Sequence, residues 1–251
     1  MKLVFTILFL FPFMAFSKEE SKIRFGLNAF MPPYVIVDGE DFSGVSVEIL
    51  EAVFVRAKLN YMLEAVSNRR INELFVSGDF TGALYLSDIK NLPIPVYFGP
   101  ELIAFQNGFM CIELENCEKA SVLGNDLKMA GFQNASKVMG DKFNRLAKSM
   151  KNYSELTNQK EQIMGLFSRR FDVVFGDERV LRYHIRHISQ SSHLYSKKIK
   201  ETKFFHKLYH HQTRRKIAFA NREHRDIFVK AYSDLKKEGA LDKIIQKYVN
   251  E

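Results

Sequence analysis

The sequence predicts an α/β protein built in two halves, each a mainly parallel sheet flanked by helices. Three observations carry this expectation. Short runs of strand character alternate with segments whose apolar residues recur at helical spacing, the pattern of parallel strands joined by crossover helices. The alternation stops at Asn107-Gly108 and then starts again. The chain has 251 residues, 46% hydrophobic and 26% charged, enough for one large domain or two small ones; this composition excludes disorder, collagen-like repeats and a small disulfide scaffold.

The first segment reads as an address. Residues 3–16 are apolar apart from Thr6 and Pro12, Lys2 precedes them, and Ala15-Phe16-Ser17 places small residues two apart before the polar Lys18-Glu19-Glu20. This is the pattern of a signal peptide over residues 1–17, with an exported mature chain from Lys18. The alternative is an uncleaved anchor, for which the run falls short of the ~20 residues of a membrane-spanning helix. The formal net charge of +8 (37 Lys+Arg against 29 Asp+Glu) becomes +7 once Lys2 is removed. In an oxidising compartment the two cysteines, Cys111 and Cys117, are expected to form a disulfide that staples a short hairpin or loop; a metal or redox pair lacks C-x-x-C spacing and further ligands.

In the first half, residues 22–27 alternate and end at the loop Met31-Pro32-Pro33-Tyr34, and residues 34–37 form a second short β-like run closed by Asp38-Gly39. Val45, Ile49, Leu50, Val53, Phe54 and Ala57 then mark a helix. Residues 61–66 read as a strand, Ile71, Leu74 and Phe75 as a short helix stopped at Ser77-Gly78, and residues 81–86 and 103–105 as buried strands. In the second half, strands are expected over 109–114, 129–132 and 171–175, and helices over 137–148, 161–168 and 178–188. Residues 189–200 are polar and basic without a clear period. A strand over 216–220 and helices over 226–237 and 241–249 close the chain, and no short-period repeat is present.

In this order the elements resemble the extracellular solute-binding proteins of family 3, the periplasmic amino-acid-binding type. Pro32-Pro33-Tyr34 is similar to the family's Pro-Pro-aromatic loop, and Phe42 to Ile49 to its Gly-Phe-x-x-Asp-Leu helix start, with Glu48 for the Asp. Leu74 to Gly78 looks like its helix ending in Ser-Gly, Phe98-Gly99-Pro100-Glu101 like its Phe-Ser-x-Pro-Tyr, and Phe171 to Asp177 like its Val-Asp-Ala-x-x-x-Asp strand. The last two helices look like the family's closing pair. The resemblance implies a type II periplasmic-binding-protein fold with two lobes joined by two crossover strands. Residues 18–106 and 214–251 would form lobe 1, and residues 107–213 lobe 2, with a ligand between them and hinge closure around it.

The resemblance also implies a set of ligand-binding residues. The family's Thr-x-x-Arg corresponds to Ser87-Asp88-Ile89-Lys90, so that Ser87 offers a hydroxyl and Lys90 a charge without the planar guanidinium fork; the other reading of Lys90 is an exposed surface lysine. Asn134 and Ser136, between a strand and a helix, stand where the family holds the ligand's carboxylate, and Asn134 can instead cap the helix. Asp177 matches the acid that receives the ligand's ammonium and is also placed to cap the following helix. Tyr34 either walls the ligand or packs in the core, Tyr85 joins the ligand-binding set, and Arg69 either replaces the missing Arg or is a solvated helix start.

The function this implies is a periplasmic solute-binding protein taking an amino acid or related compound, without cofactor, as a monomer, beside an inner-membrane ABC permease or a sensor. The alternatives are a ligand-sensing or signalling protein of the same fold, and a periplasmic dehydratase-like enzyme. The sequence holds no Gly-x-Ser-x-Gly and no His-Glu-x-x-His. His184 and His187, three apart on a helix, make two ligands of a metal site and lack a third. Export and the lack of a reading module argue against nucleic acid as the partner of the basic charge.

Overall fold

The computed structural model describes residues 22–29, 31–86, 92–191, 193–209 and 216–249. The chain opens with β1 (Ile23–Asn28), the hairpin of β2 (Ile36–Asp38) and β3 (Asp41–Ser43), α1 (Val45–Ala57), β4 (Tyr61–Val66), α2 (Asn68–Ser77), β5 (Gly82–Ala83) and β6 (Tyr97–Glu101). It continues through β7 (Asn107–Cys111), α3 (Leu114–Lys119), β8 (Met129–Phe132), α4 (Ala135–Val138), α5 (Asp141–Ser149), β9 (Tyr153–Leu156), α6 (Gln159–Phe167), β10 (Val173–Asp177), α7 (Glu178–Ser191), α8 (His193–Glu201) and β11 (Phe205–Leu208). It closes with β12 (Lys216–Phe219), α9 (Arg222–Lys237) and α10 (Ala240–Val249).

Two five-stranded sheets organise these elements, in the orders β4-β1-β5-β12-β6 and β11-β7-β10-β8-β9. Each sheet is mixed, with two parallel and two antiparallel pairings: β1 lies parallel to β4 and β5, and β8 to β9 and β10, while β12 runs antiparallel to β5 and β6, and β7 to β10 and β11. The chain passes from the first sheet to the second between Glu101 and Asn107 and returns between Leu208 and Lys216. The result is a two-lobed α/β molecule. No helix among the described residues is long and apolar enough to cross a membrane.

Each lobe has an aromatic core. In the first, Phe25 of β1 meets Phe54 of α1 edge-on at 5.5 Å and Phe219 of β12 at 5.8 Å, and Phe228 of α9 closes the cluster at 5.2 Å from both Phe54 and Phe219. In the second, Phe175 on the central strand β10 lies 4.1 Å from Phe143 of α5, 5.2 Å from Phe109 of β7 and 5.7 Å from Tyr209, between ring centroids. These rings are buried, and their burial is the main term holding each sheet to its helices.

Several expected elements differ. The expected helix over 137–148 is two helices, because Gly140 sits at φ 82 and serves as the N-cap of α5. The expected strand over 103–105 is an irregular crossing segment, and the ladder runs instead through β6. The strand over 81–86 is reduced to β5, since Tyr85 takes φ 55 and leaves the sheet. β10 lies two residues later than expected, and β7 starts two residues earlier and ends at Cys111.

Cys111 and Cys117 form a disulfide, with Cα atoms 5.6 Å apart. It staples the end of β7 to α3 rather than a hairpin or loop, because Cys117 lies on a helical turn and is fully buried. Labelling the denatured, unreduced protein with a thiol reagent is expected to find no free thiol. Two reactive thiols per chain would contradict this.

Candidate functional site

β10 ends at Asp177, 4% exposed, at the edge of the second sheet that faces the first lobe. Its Oδ1 accepts the backbone N–H groups of Arg179 (3.0 Å) and Val180 (3.3 Å), so that Asp177 caps α7. Its Oδ2 accepts the backbone N–H of Gln106, on the crossing segment, at 2.6 Å. The fourth donor comes from the other lobe: the Tyr34 hydroxyl donates to Oδ1 at 2.8 Å. Arg179 completes the link by donating to the Tyr34 hydroxyl and to the Ala104 carbonyl, both at 3.2 Å.

The loop carrying Tyr34 is fixed by the start of α1. The N–H groups of Val45 and Ser46, which lack partners within the helix, donate to the carbonyls of Pro33 and Tyr34 at 3.0 Å each. Gly44 makes this possible: it takes φ 110, and a Cβ there would stand 2.6 Å from the Pro33 oxygen. The Tyr34 ring is fully buried, edge-on to Phe105 at 5.0 Å. Val180, one turn into α7, is buried in the first lobe's core cluster. The lobes therefore meet through an apolar contact with a carboxylate-centred hydrogen-bond group at its side.

Burial, then the charge of Asp177, holds the Tyr34 phenol well above its ordinary value, so it is a proton donor at neutral pH. Burial also pushes the Asp177 carboxyl up, against the pull of Gln106, Tyr34 and Arg179. A carboxylate oxygen has two lone-pair sites, and among the described residues Oδ2 takes one donor, which leaves a site for a further cationic donor.

A cavity of about 190 Å³ opens between the lobes, lined by Pro32, Val35 and Val37 on one side and Asn158, Gln159 and His184 on the other. Burial, with smaller effects from His187 and Lys160, lowers the His184 imidazole to about 4 and keeps it neutral at pH 7. A hollow of about 420 Å³ lies within the second lobe, away from this gap, beside Met139, Asp141 and Tyr209. Among the described residues, no group of three or more His, Cys, Asp or Glu is placed to hold a metal ion.

Of the residues singled out by sequence, the structure brings Tyr34 and Asp177 together. Tyr85 is buried against Phe105, with its hydroxyl 2.9 Å from the Ser46 hydroxyl. Arg69 is solvent-exposed and paired with Glu73 one turn along α2 at 3.0 Å, the solvated-helix alternative. Ser87 and Lys90 lie outside the described residues, as does the segment read as a signal peptide. Asn134 stands at the N-cap of α4 with φ 64, but its side chain makes no capping bond; the backbone N–H groups of Asn134 and Ser136 both go to the Glu155 carboxylate. Sequence reasoning missed Gln106 and Arg179, of which only Arg179 has a local signal, as a cation two residues after the acid.

No protein-family model and no curated protein matches the chain. Solved structures do. The arginine-, lysine-, histidine-binding protein ArtJ of Geobacillus stearothermophilus is 16% identical, with 92% of this chain and 96% of that chain covered at a TM-score of 0.63. A histidine kinase sensor domain with similarity to periplasmic binding proteins is 15% identical, covering 90% and 95% at 0.68. An ancestral amino acid-binding protein described as a precursor of cyclohexadienyl dehydratase is 17% identical, covering 90% and 94% at 0.66. These three proteins thus share the fold over nearly the whole length of this chain. The chain has the two-lobed fold of the family 3 solute-binding proteins.

Proposed function

We propose that this chain is an exported solute-binding protein of that family, capturing a small polar ligand, an amino acid or a related compound, between its lobes. The observation that carries the reading is Asp177: a buried carboxylate at the carboxyl end of a central strand, on the interlobe face, with acceptor capacity left for a cationic group. The solved structures of this fold include proteins named for binding amino acids, which supports the same ligand class. In this reading residues 18–106 and 214–251 form one lobe and residues 107–213 the other, and the signal segment directs the chain to the periplasm. The captured ligand is delivered to an ABC permease. Binding rather than turnover is the activity, without a cofactor.

A thermal-shift screen over amino acids, small carboxylates and amines tests this. A ligand at 100 times its Kd stabilises by about 2.7 kcal/mol, and at about 2–4 °C per kcal/mol for a chain of this size the melting temperature rises by about 5–10 °C. A screen in which no member of the three classes raises the melting temperature would overturn the reading, and so would turnover of a bound compound.

A further inference from the structure

The cavity between the lobes has two unlike walls. The first lobe supplies Pro32, Val35 and Val37, all apolar, and the second supplies Gln159 of α6 and Tyr183 and His184 of α7. No Asp, Glu, Lys or Arg is among the described residues that line it. The cavity adjoins the Asp177 group on both sides. Pro32 and Val35 stand on either side of Tyr34 in sequence, and the Tyr34 hydroxyl reaches Asp177. Gln159 lies against Gly176, the residue before Asp177, where a Cβ would stand 2.8 Å from the Gln159 Oε1. On α7, Tyr183 stacks on His187 with ring centroids 5.6 Å apart and planes 11° from parallel, and His184 stands edge-on to Tyr183. Among the described residues, neither ring nitrogen of His184 has a hydrogen-bond partner. The neutral imidazole offers one donor and one acceptor. Lys160, whose field reaches His184, is solvent-exposed and does not line the cavity.

A charged group entering this space gives up water and finds no counter-charge. An uncharged group keeps a hydrogen bond on one wall and buries apolar surface against the other. The volume of about 190 Å³ matches that of about six waters in the liquid and admits a single ring or a short branched chain. We propose that this cavity is the subsite for an uncharged, largely apolar part of the ligand, hydrogen-bonded to His184. The protein then selects compounds that bring a cation to Asp177 and a neutral side group here, against those whose side group is an ammonium, a guanidinium or a carboxylate. This rests on the binding function proposed above and narrows its ligand class.

The test uses the full chain and three probes of one shape: neutral benzamide, cationic benzamidinium and anionic benzoate. Methyl and ring ¹H–¹³C spectra report on Val35, Val37 and His184. Benzamide at millimolar concentration is expected to shift all three, and the two charged probes to bind at these reporters about tenfold or more weakly. His184→Phe keeps a ring and removes the nitrogens, and there benzamide is expected to bind about 3- to 10-fold more weakly. His184→Gln, which restores a neutral donor and acceptor, is expected to recover part of that loss. Charged probes that bind these reporters as tightly as benzamide would show that the cavity does not select against charge. Reporters that ignore benzamide would show that it takes no such group. Equal benzamide affinity in the wild type and His184→Phe would show that His184 is not its partner. Any of these results overturns the proposal, and the comparison of the three probes needs no variant to fold. None of the probes is an amino acid, so failure here leaves the binding function standing, and an empty thermal-shift screen leaves this result intact.

Discussion

Replacing Phe175 by alanine is expected to lower stability by about 3–5 kcal/mol, the range for truncating a buried aromatic. The ring is fully buried on the central strand of the second sheet and is surrounded by Phe109, Phe143 and Tyr209, with Phe132 stacked at 6.1 Å. Those neighbours come from β7, β8, α5 and the residue after β11, so collapse around the void would require several elements to move together. At about 2–4 °C per kcal/mol, the melting temperature should fall by about 6–20 °C. Phe175→Leu, which leaves a smaller void, should fall by less. Thermal unfolding followed by circular dichroism makes the measurement, and an alanine variant melting within about 2 °C of the wild type would show that this ring cluster does not hold the lobe together.

The second large effect is expected at Asp177. With a cationic ligand found by the screen, Asp177→Asn should bind about 10- to 150-fold more weakly, since a hydrogen bond to a charged partner contributes about 1.5–3 kcal/mol. Calorimetry decides it, and unchanged affinity would remove Asp177 from the ligand site. From sequence, Asn caps a helix nearly as well as Asp, which predicts little change in folding. The structure changes that expectation. An asparagine whose oxygen keeps the Arg179 and Val180 N–H groups turns its amide NH₂ toward the Gln106 N–H, donor against donor; turned the other way, it loses the cap. Stability should therefore also fall, by about 1–3 kcal/mol.

Where the sequence was legible, the signal was long and periodic. α1, α9 and α10 fall close to where their apolar spacing places them, with α9 starting earlier, at Arg222: α1 and α9 bury a stripe in the core of the first lobe, and α10 packs on these two helices. β9 (Tyr-Ser-Glu-Leu) and β11 (Phe-His-Lys-Leu) were not visible: each is four residues long, half polar, and sits at a sheet edge where one side needs no apolar partner. The apolar trio at 103–105 misled in the opposite direction, since Phe105 is buried between Tyr34 and Tyr85 on an irregular segment and not on a ladder. The site follows the same division. Tyr34 and Asp177 were legible from Pro-Pro-Tyr and from an acid closing a buried run. Gln106 was not, because its backbone N–H meets Asp177 only once the crossing segment lies beside the end of β10.

The order of strands in the two sheets has a consequence for how the chain assembles as it is made. Every strand of the second sheet comes from residues 107–208, a continuous stretch. The first sheet is not continuous: β12, from residues 216–219, sits between β5 and β6, and in that strand order β6 reaches the sheet through β12 alone. A chain that emerges N-terminus first can therefore complete the second lobe while the first still has a gap in its sheet and a strand without a neighbour. The residues that fill the gap arrive after the whole of the second sheet, together with α9 and α10, whose Phe228 and Leu241 belong to the same core as Phe25. Truncation from the C-terminus would then strike the lobe that the chain began first, and leave intact the lobe that it began second.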